Sequence, residues 1–320
     1  MSTSNRFPPL AEPVKDTYAG FAPEHGGPPA RILIDPDNPP WGLVAATLTW
    51  FSSVALLFLM SLLFVLPYLI PRMMKNNDAE ALREFLLTDK TAILLQISST
   101  IPAHLLTLAV VWAVVTHFGK LPFWSTLGWS WTKDFGPWKT LALALVLYVI
   151  GIVVTEKMGG EATEIDKIVN SSQASRYTTA FLATFTAPLV EEMIYRGVLY
   201  SALRKWLVKI NIHRGVLNPE RVGTISAVCG VLLLFTIVHV PQYRQNIGVI
   251  LVICLLSMTL TIVRAYTGRL LPCFIIHLVF NGTTSLIIIF GPYIQRMQQS
   301  GGEQKAAVIN LLAHAFNLIT

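Results

Sequence analysis

Seven mainly apolar runs, separated by short polar stretches, leave this chain few ways to fold. A helix needs about 20 apolar residues to cross the hydrocarbon of a bilayer. The runs fall at 42–70, 91–116, 140–155, 177–202, 222–240, 247–266 and 271–290, and all but the third reach that length. In the short third run, Gly151 is expected to mark close helix packing. The composition agrees: of 320 residues, 53% are hydrophobic and 13% charged, against about 25% charged in a soluble domain. The expected fold is all-α, a polytopic membrane bundle of about seven transmembrane helices with a short C-terminal interfacial helix.

The organisation follows. Residues 1–41 are rich in Pro, Gly and charge and read as a flexible tail, with no apolar signal-peptide core near Met1. Residues 42–291 form the transmembrane region. Residues 292–320 form a tail whose expected helix places Asn310, His314 and Asn317 on one face. Trp41, Trp50 and the Trp-rich stretch 117–139 read as interfacial anchors. Residues 156–176 read as a solvated loop and 203–221 as a basic loop. The net charge of +6 comes from Lys and Arg spread over the connections. That pattern suits membrane topology and a lipid partner rather than nucleic acid. It places the N-terminus and the 203–221 loop in the cytoplasm, and a bacterial chain of this kind in the plasma membrane. Cys229, Cys254 and Cys273 lie in apolar runs without CxxC spacing and read as packing residues.

Inside the fourth run stands Ala187-Pro188-Leu189-Val190-Glu191-Glu192-Met193-Ile194-Tyr195-Arg196-Gly197. One unpaired charge at the bilayer centre costs from about 3 to above 10 kcal/mol, and intramembrane ionisable groups face a protein interior or a wet cavity. Glu192 and Arg196 are one turn apart and can pair. Adjacent helix residues differ by about 100° in direction, so Glu191 is left to face another partner. The other deep polar groups are His104 in the second run, His239 in the fifth, and His277 with Asn281 in the seventh. Phe235 precedes His239 by one turn. Pro188 removes one backbone N–H, and the carbonyl it frees needs water or a polar neighbour. His104 has no motif partner and reads as a packing or hydrogen-bonding residue.

A glutamate beside a histidine in a partly dry cavity can activate water, and a histidine with an asparagine amide can hold a developing oxyanion. Glu191, His239 and His277 would equally make a three-ligand set for a divalent metal such as zinc. There is no HExxH to decide between these readings.

The motifs Glu191-Glu192-x-x-x-Arg196, Phe235-x-x-x-His239 and His277-x-x-x-Asn281 occur in this order, each in an apolar run. In this the chain resembles the CPBP intramembrane proteases, which include the type II CAAX prenyl endopeptidases and the Abi, or bacteriocin-immunity, proteins. The resemblance covers about residues 175–290. It implies an intramembrane endopeptidase acting on a membrane-associated protein or peptide, CAAX-type or bacteriocin-related. It implies that Glu191 and His239 activate water, that His277 and Asn281 stabilise the oxyanion, and that Glu192, Arg196 and Phe235 support them. The residues alone also fit a proton- or ion-coupled transporter, or a non-catalytic immunity or scaffold protein. The lack of an inverted repeat and of paired broken helices weighs against transport.

Overall fold

The structure is a computed structural model that describes residues 35–75 and 78–300. The expected tail before residue 35 and the helix bearing Asn310, His314 and Asn317 lie outside the described residues. Among the described residues every regular element is helical.

Helix α1 is Leu43–Met73, a long apolar helix whose buried residues are Ala46, Thr49, Ser53 and Val65. Its exposed side includes Phe51, Phe58, Leu62 and Leu63. Large apolar groups thus face outward and mostly small or hydroxylated ones inward. That inverts the pattern of a soluble helix and needs lipid as the outer solvent. Helix α2, Ala79–Thr88, starts at Asp78, whose side chain accepts from the Glu80 N–H. Asp89 ends it and caps α3, Lys90–Ser98, by accepting from Thr91 and Ala92. After a break at Ser99, α4 runs over Thr100–Thr116.

The Trp-rich connection holds the short α5, Phe123–Thr126. Trp138 stays exposed, but Trp129 stacks on Phe274 with centroids 5.1 Å apart. Part of this stretch is therefore packed on the bundle rather than anchored in headgroups. Helix α6 is Pro137–Met158, longer than expected because Pro137 suits a first helical turn and Gly159 ends it. A Cβ on Gly151 would lie 3.3 Å from Val252 and 3.5 Å from Phe280, which is the close packing expected there. The expected loop at 156–176 contains α7, Glu164–Ser171, opened by a reciprocal capping box between Thr163 and Asp166.

The fourth apolar run is not one regular helix. It comprises α8 (Gln173–Phe181), a π segment (Leu182–Thr186), α9 (Ala187–Glu192), a second π segment (Met193–Leu199) and α10 (Tyr200–His213). The basic stretch expected as a loop from 203 is thus helical to His213. Its Leu203 and Leu207 pack on the core, which continues the helix past the end of the fourth apolar run. Helices α11 (Pro219–Tyr243), α12 (Ile247–Thr267) and α13 (Leu271–Ser300) complete the bundle. Gly223 lets α10 and α11 approach: a Cβ there would meet Val208 at 2.6 Å. Among the described residues, six helical stretches are long and apolar enough to cross a membrane: Leu43–Met73, Lys90–Thr116, Pro137–Met158, Pro219–Tyr243, Ile247–Thr267 and Leu271–Met297. The remaining expected span, 177–202, lies within the interrupted run from Gln173 to His213.

Residues 36–41 form a strap ahead of α1. Arg264 at the end of α12, fully buried, donates to Asp37 Oδ1 at 2.6 Å and to the Pro36 carbonyl at 2.9 Å. Lys205 donates to the Pro39 carbonyl at 2.8 Å. Trp41 is 3% exposed, and its Nε1–H donates to the Val198 carbonyl at 3.0 Å. It is therefore a buried plug and not the surface anchor expected. A buried indole N–H must find an acceptor, and the second π segment supplies one.

Candidate active site

The two glutamates divide as their helical directions require. Glu192 is fully buried, and its Oε1 accepts from Arg196 Nη1 at 2.9 Å and from His277 Nδ1 at 2.8 Å. Arg196, also fully buried, spends its other donors on α12: Nε on Thr261 Oγ1 at 3.2 Å, and Nη2 on the Ser257 hydroxyl at 2.9 Å and carbonyl at 3.1 Å. Such a pair offsets its desolvation only when its remaining donors and lone pairs are satisfied; Ser257 and Thr261 take the donors of Arg196, while Glu192 Oε2 has no hydrogen-bond partner among the described residues. The i, i+4 spacing foretold the Glu192–Arg196 pair. It gave no sign of the bond to His277, which lies 85 positions away.

Glu191 keeps 24% of its side chain exposed, and its Oε2 lies 3.8 Å from His277 Nε2. His277 therefore stands between both carboxylates. Its Nδ1–H is committed to Glu192, and Nε2 is the atom left for chemistry. A carboxylate fixing the far nitrogen of an imidazole sets both tautomer and orientation.

His239 is set by a different device. Its Nδ1 lies 2.7 Å from the Phe235 carbonyl, which can only accept. The proton is therefore on Nδ1, and in the neutral ring Nε2 carries a free lone pair. Phe235 is the hub of the site. Its ring stacks on His239 at 4.5 Å, meets His277 edge-on at 6.2 Å and Tyr195 edge-on at 5.0 Å. The Arg196 guanidinium lies 4.6 Å from its centroid.

Asn281 reaches across to the first π segment, where its Nδ2 donates to the Ala183 carbonyl at 3.0 Å. That segment bonds i to i+5, as the Ala187 N–H to Leu182 carbonyl bond shows. In that register the Ala183 carbonyl belongs to residue 188, which is proline and has no N–H. The carbonyl freed by Pro188 has thus found its polar neighbour in Asn281. The other amide hydrogen and Oδ1 of Asn281 remain for a ligand.

His104, set aside in the sequence for want of a motif partner, lies here as well. Its Nδ1 is 3.0 Å from Thr186 Oγ1, five residues ahead of Glu191. No local spacing announces this, because α4 and α9 meet only in the folded bundle.

No three His, Cys, Asp or Glu side chains among the described residues are grouped so as to hold a metal ion. Glu191, His239 and His277 do not assemble into a three-ligand cradle, so the steps below use these side chains alone.

Residues 173–283, about a third of the chain, match the model of the Rce1-like type II CAAX prenyl endopeptidase family. The matched segment is similar to that family, in keeping with the resemblance carried by the three motifs. It runs from the start of α8 to just past Asn281, so it contains all three motifs and leaves out the strap, α1 and His104. No curated protein and no solved structure matches the chain. Endopeptidase is the activity that the matched family's description names.

Proposed function

We propose that this protein is an intramembrane endopeptidase whose general base is Glu191. One observation carries the reading: of two adjacent buried-run carboxylates, Glu192 is locked by Arg196 and His277, while Glu191 stays partly exposed with a histidine 3.8 Å away. A general base must be reachable by water and near a second polar group, and Glu191 alone of the pair meets both conditions.

In this reading Glu191 takes a proton from the attacking water, and the lone pair on His239 Nε2 orients that water or shares the proton. The hydroxide adds to the scissile carbonyl carbon. His277 Nε2, when protonated, and the spare amide N–H of Asn281 face the oxyanion. Glu191 then returns the proton to the leaving amide nitrogen. The tautomer of His239 and the position of His277 between the two carboxylates support these roles. The substrate is a membrane-associated peptide or protein. The family description points to a prenylated C-a-a-X sequence as the first one to test.

The test is cleavage of a farnesylated C-a-a-X peptide by purified protein in micelles. Glu191→Gln keeps the shape and removes the base. Activity is expected to fall by about 100-fold or more, with the thermal unfolding midpoint unchanged. A Glu191→Gln protein that cleaves at the unsubstituted rate refutes the assignment.

A further inference from the structure

We infer that Trp50 is a positioning residue for this reaction: its indole N–H holds the Tyr195 ring, and through the Phe235 ring it sets the plane of the His239 imidazole. This rests on the protease reading above. Trp50 is on α1, outside the family segment and outside its three motifs. The sequence reads it as an interfacial anchor. In the structure it is half-buried, and its Nε1–H donates to the Tyr195 hydroxyl at 3.0 Å. Tyr195 is 5% exposed, so water has little access to replace that bond.

Each further link is a ring contact of known geometry. Tyr195 belongs to the second π segment, and its ring meets Phe235 edge-on, with centroids 5.0 Å apart and planes at 76°. Phe235 is 2% exposed and has no polar side-chain atom, so the groups packed on its ring set its tilt. One neighbour is the Arg196 guanidinium, 4.6 Å from the centroid, and another is Tyr195. The bond from His239 Nδ1 to the Phe235 carbonyl fixes the tautomer, but a single hydrogen bond leaves the imidazole free to turn about it. Its plane is held by the Phe235 ring, stacked at 4.5 Å and 30°. The direction of Nε2, the atom that meets the water, follows from that plane.

The residue types point to orientation and not to filling alone. A phenylalanine at 195 would lay the same ring against Phe235 with no hydroxyl to satisfy. A buried tyrosine hydroxyl needs a partner, and here the partner stands on a helix that the family segment does not include. Any turn of the Tyr195 ring that carries the hydroxyl away from Trp50 breaks the bond. The tilt on which Phe235 and His239 depend is thereby tied to α1. Trp50 bonds to Tyr195 and acts on the water only through His239, so the effect belongs to the chemical step.

The experiment measures kcat and KM separately on the farnesylated C-a-a-X peptide, with thermal unfolding alongside, and records the nitrogen NMR signals of the histidine rings. Trp50→Phe keeps a ring and loses the N–H. Its kcat is expected to fall on the order of 10- to 100-fold with KM unchanged, as for a displaced catalytic group. Tyr195→Phe removes the other end of the bond and should lower kcat by a similar factor. Because both act through one bond, the double variant should be no slower than the slower single one. The His239 signals, assigned by their loss in His239→Gln, should shift in both single variants. A stably folded Trp50→Phe or Tyr195→Phe with full kcat overturns the proposal, as does a rise in KM at constant kcat or losses that multiply in the double variant. Unmoved His239 signals overturn it too. Tyr195→Phe serves for both measurements if Trp50→Phe does not fold. An unsubstituted protein that does not cleave would refute the protease reading, and the His239 signals would still decide whether Trp50 sets that ring. Cleavage abolished by Glu191→Gln but untouched at Trp50 would remove the Trp50 role alone.

Discussion

Glu192 shows how one carboxylate oxygen can serve two elements. Its Oε1 accepts from Arg196 on its own run and from His277 on α13. Removing only the cation leaves a fully buried carboxylate without its charge partner. Arg196→Met should therefore cost about 3–5 kcal/mol of stability, read by unfolding in micelles. Replacing both as Glu192→Leu with Arg196→Met should recover most of that loss, since buried pairs exchange for apolar residues at little net cost. The double variant should still cleave poorly, because His277 loses the acceptor that fixes its ring. Equal activity in the double variant and the unsubstituted protein would show that His277 needs no such anchor. At this scale the sequence was informative where groups lie one turn apart: Glu192 with Arg196, and Phe235 with His239. It was silent on His277 with Glu192 and on His104 with Thr186, since those pairs depend on how separate helices face each other.

The fourth run was legible as an apolar element but not as an interrupted one. Two π segments bracket α9, and a neighbour bonds to a carbonyl in each: Asn281 to that of Ala183, which Pro188 leaves free, and Trp41 to that of Val198. Pro188 announced a free carbonyl, but only the i to i+5 register identifies which one. A double-mutant cycle tests the link. Asn281→Leu in the native background orphans the Ala183 carbonyl and should cost about 1–3 kcal/mol. In a Pro188→Ala background the new N–H can serve that carbonyl, and the same substitution should cost much less. Additive losses would mean that the two positions are not coupled. Elsewhere the element boundaries moved for local reasons. Caps extended α6 and created α7, and apolar contacts carried α10 through residues that charge alone assigned to a loop.

For the molecule as a whole, the apolar exterior of α1 and the other long helices makes lipid the outer solvent. The sequence conveyed this through run length and composition. It did not convey the strap, because Asp37 and Arg264 are 227 positions apart and residues 35–41 have the composition of a loop. Arg264 is 1% exposed in its side chain and Asp37 is its carboxylate partner. Asp37→Ala should destabilise the fold by about 3 kcal/mol, partly restored by Asp37→Asn, which still offers an oxygen. Unfolding midpoints within error of the unsubstituted protein would show that the Pro36 carbonyl suffices.

The strap also imposes an order on biogenesis. Asp37 leaves the ribosome well before Arg264 is made, and domains acquire structure from the N-terminus as synthesis proceeds. Through the insertion of five intervening helical runs the strap has neither its guanidinium from α12 nor, until α10 exists, the Lys205 ammonium. Its clamp closes only once α12 is seated beside the rest. Protease resistance at residues 36–41 would therefore appear late, as a signal that insertion is complete and the glutamates have met their histidines.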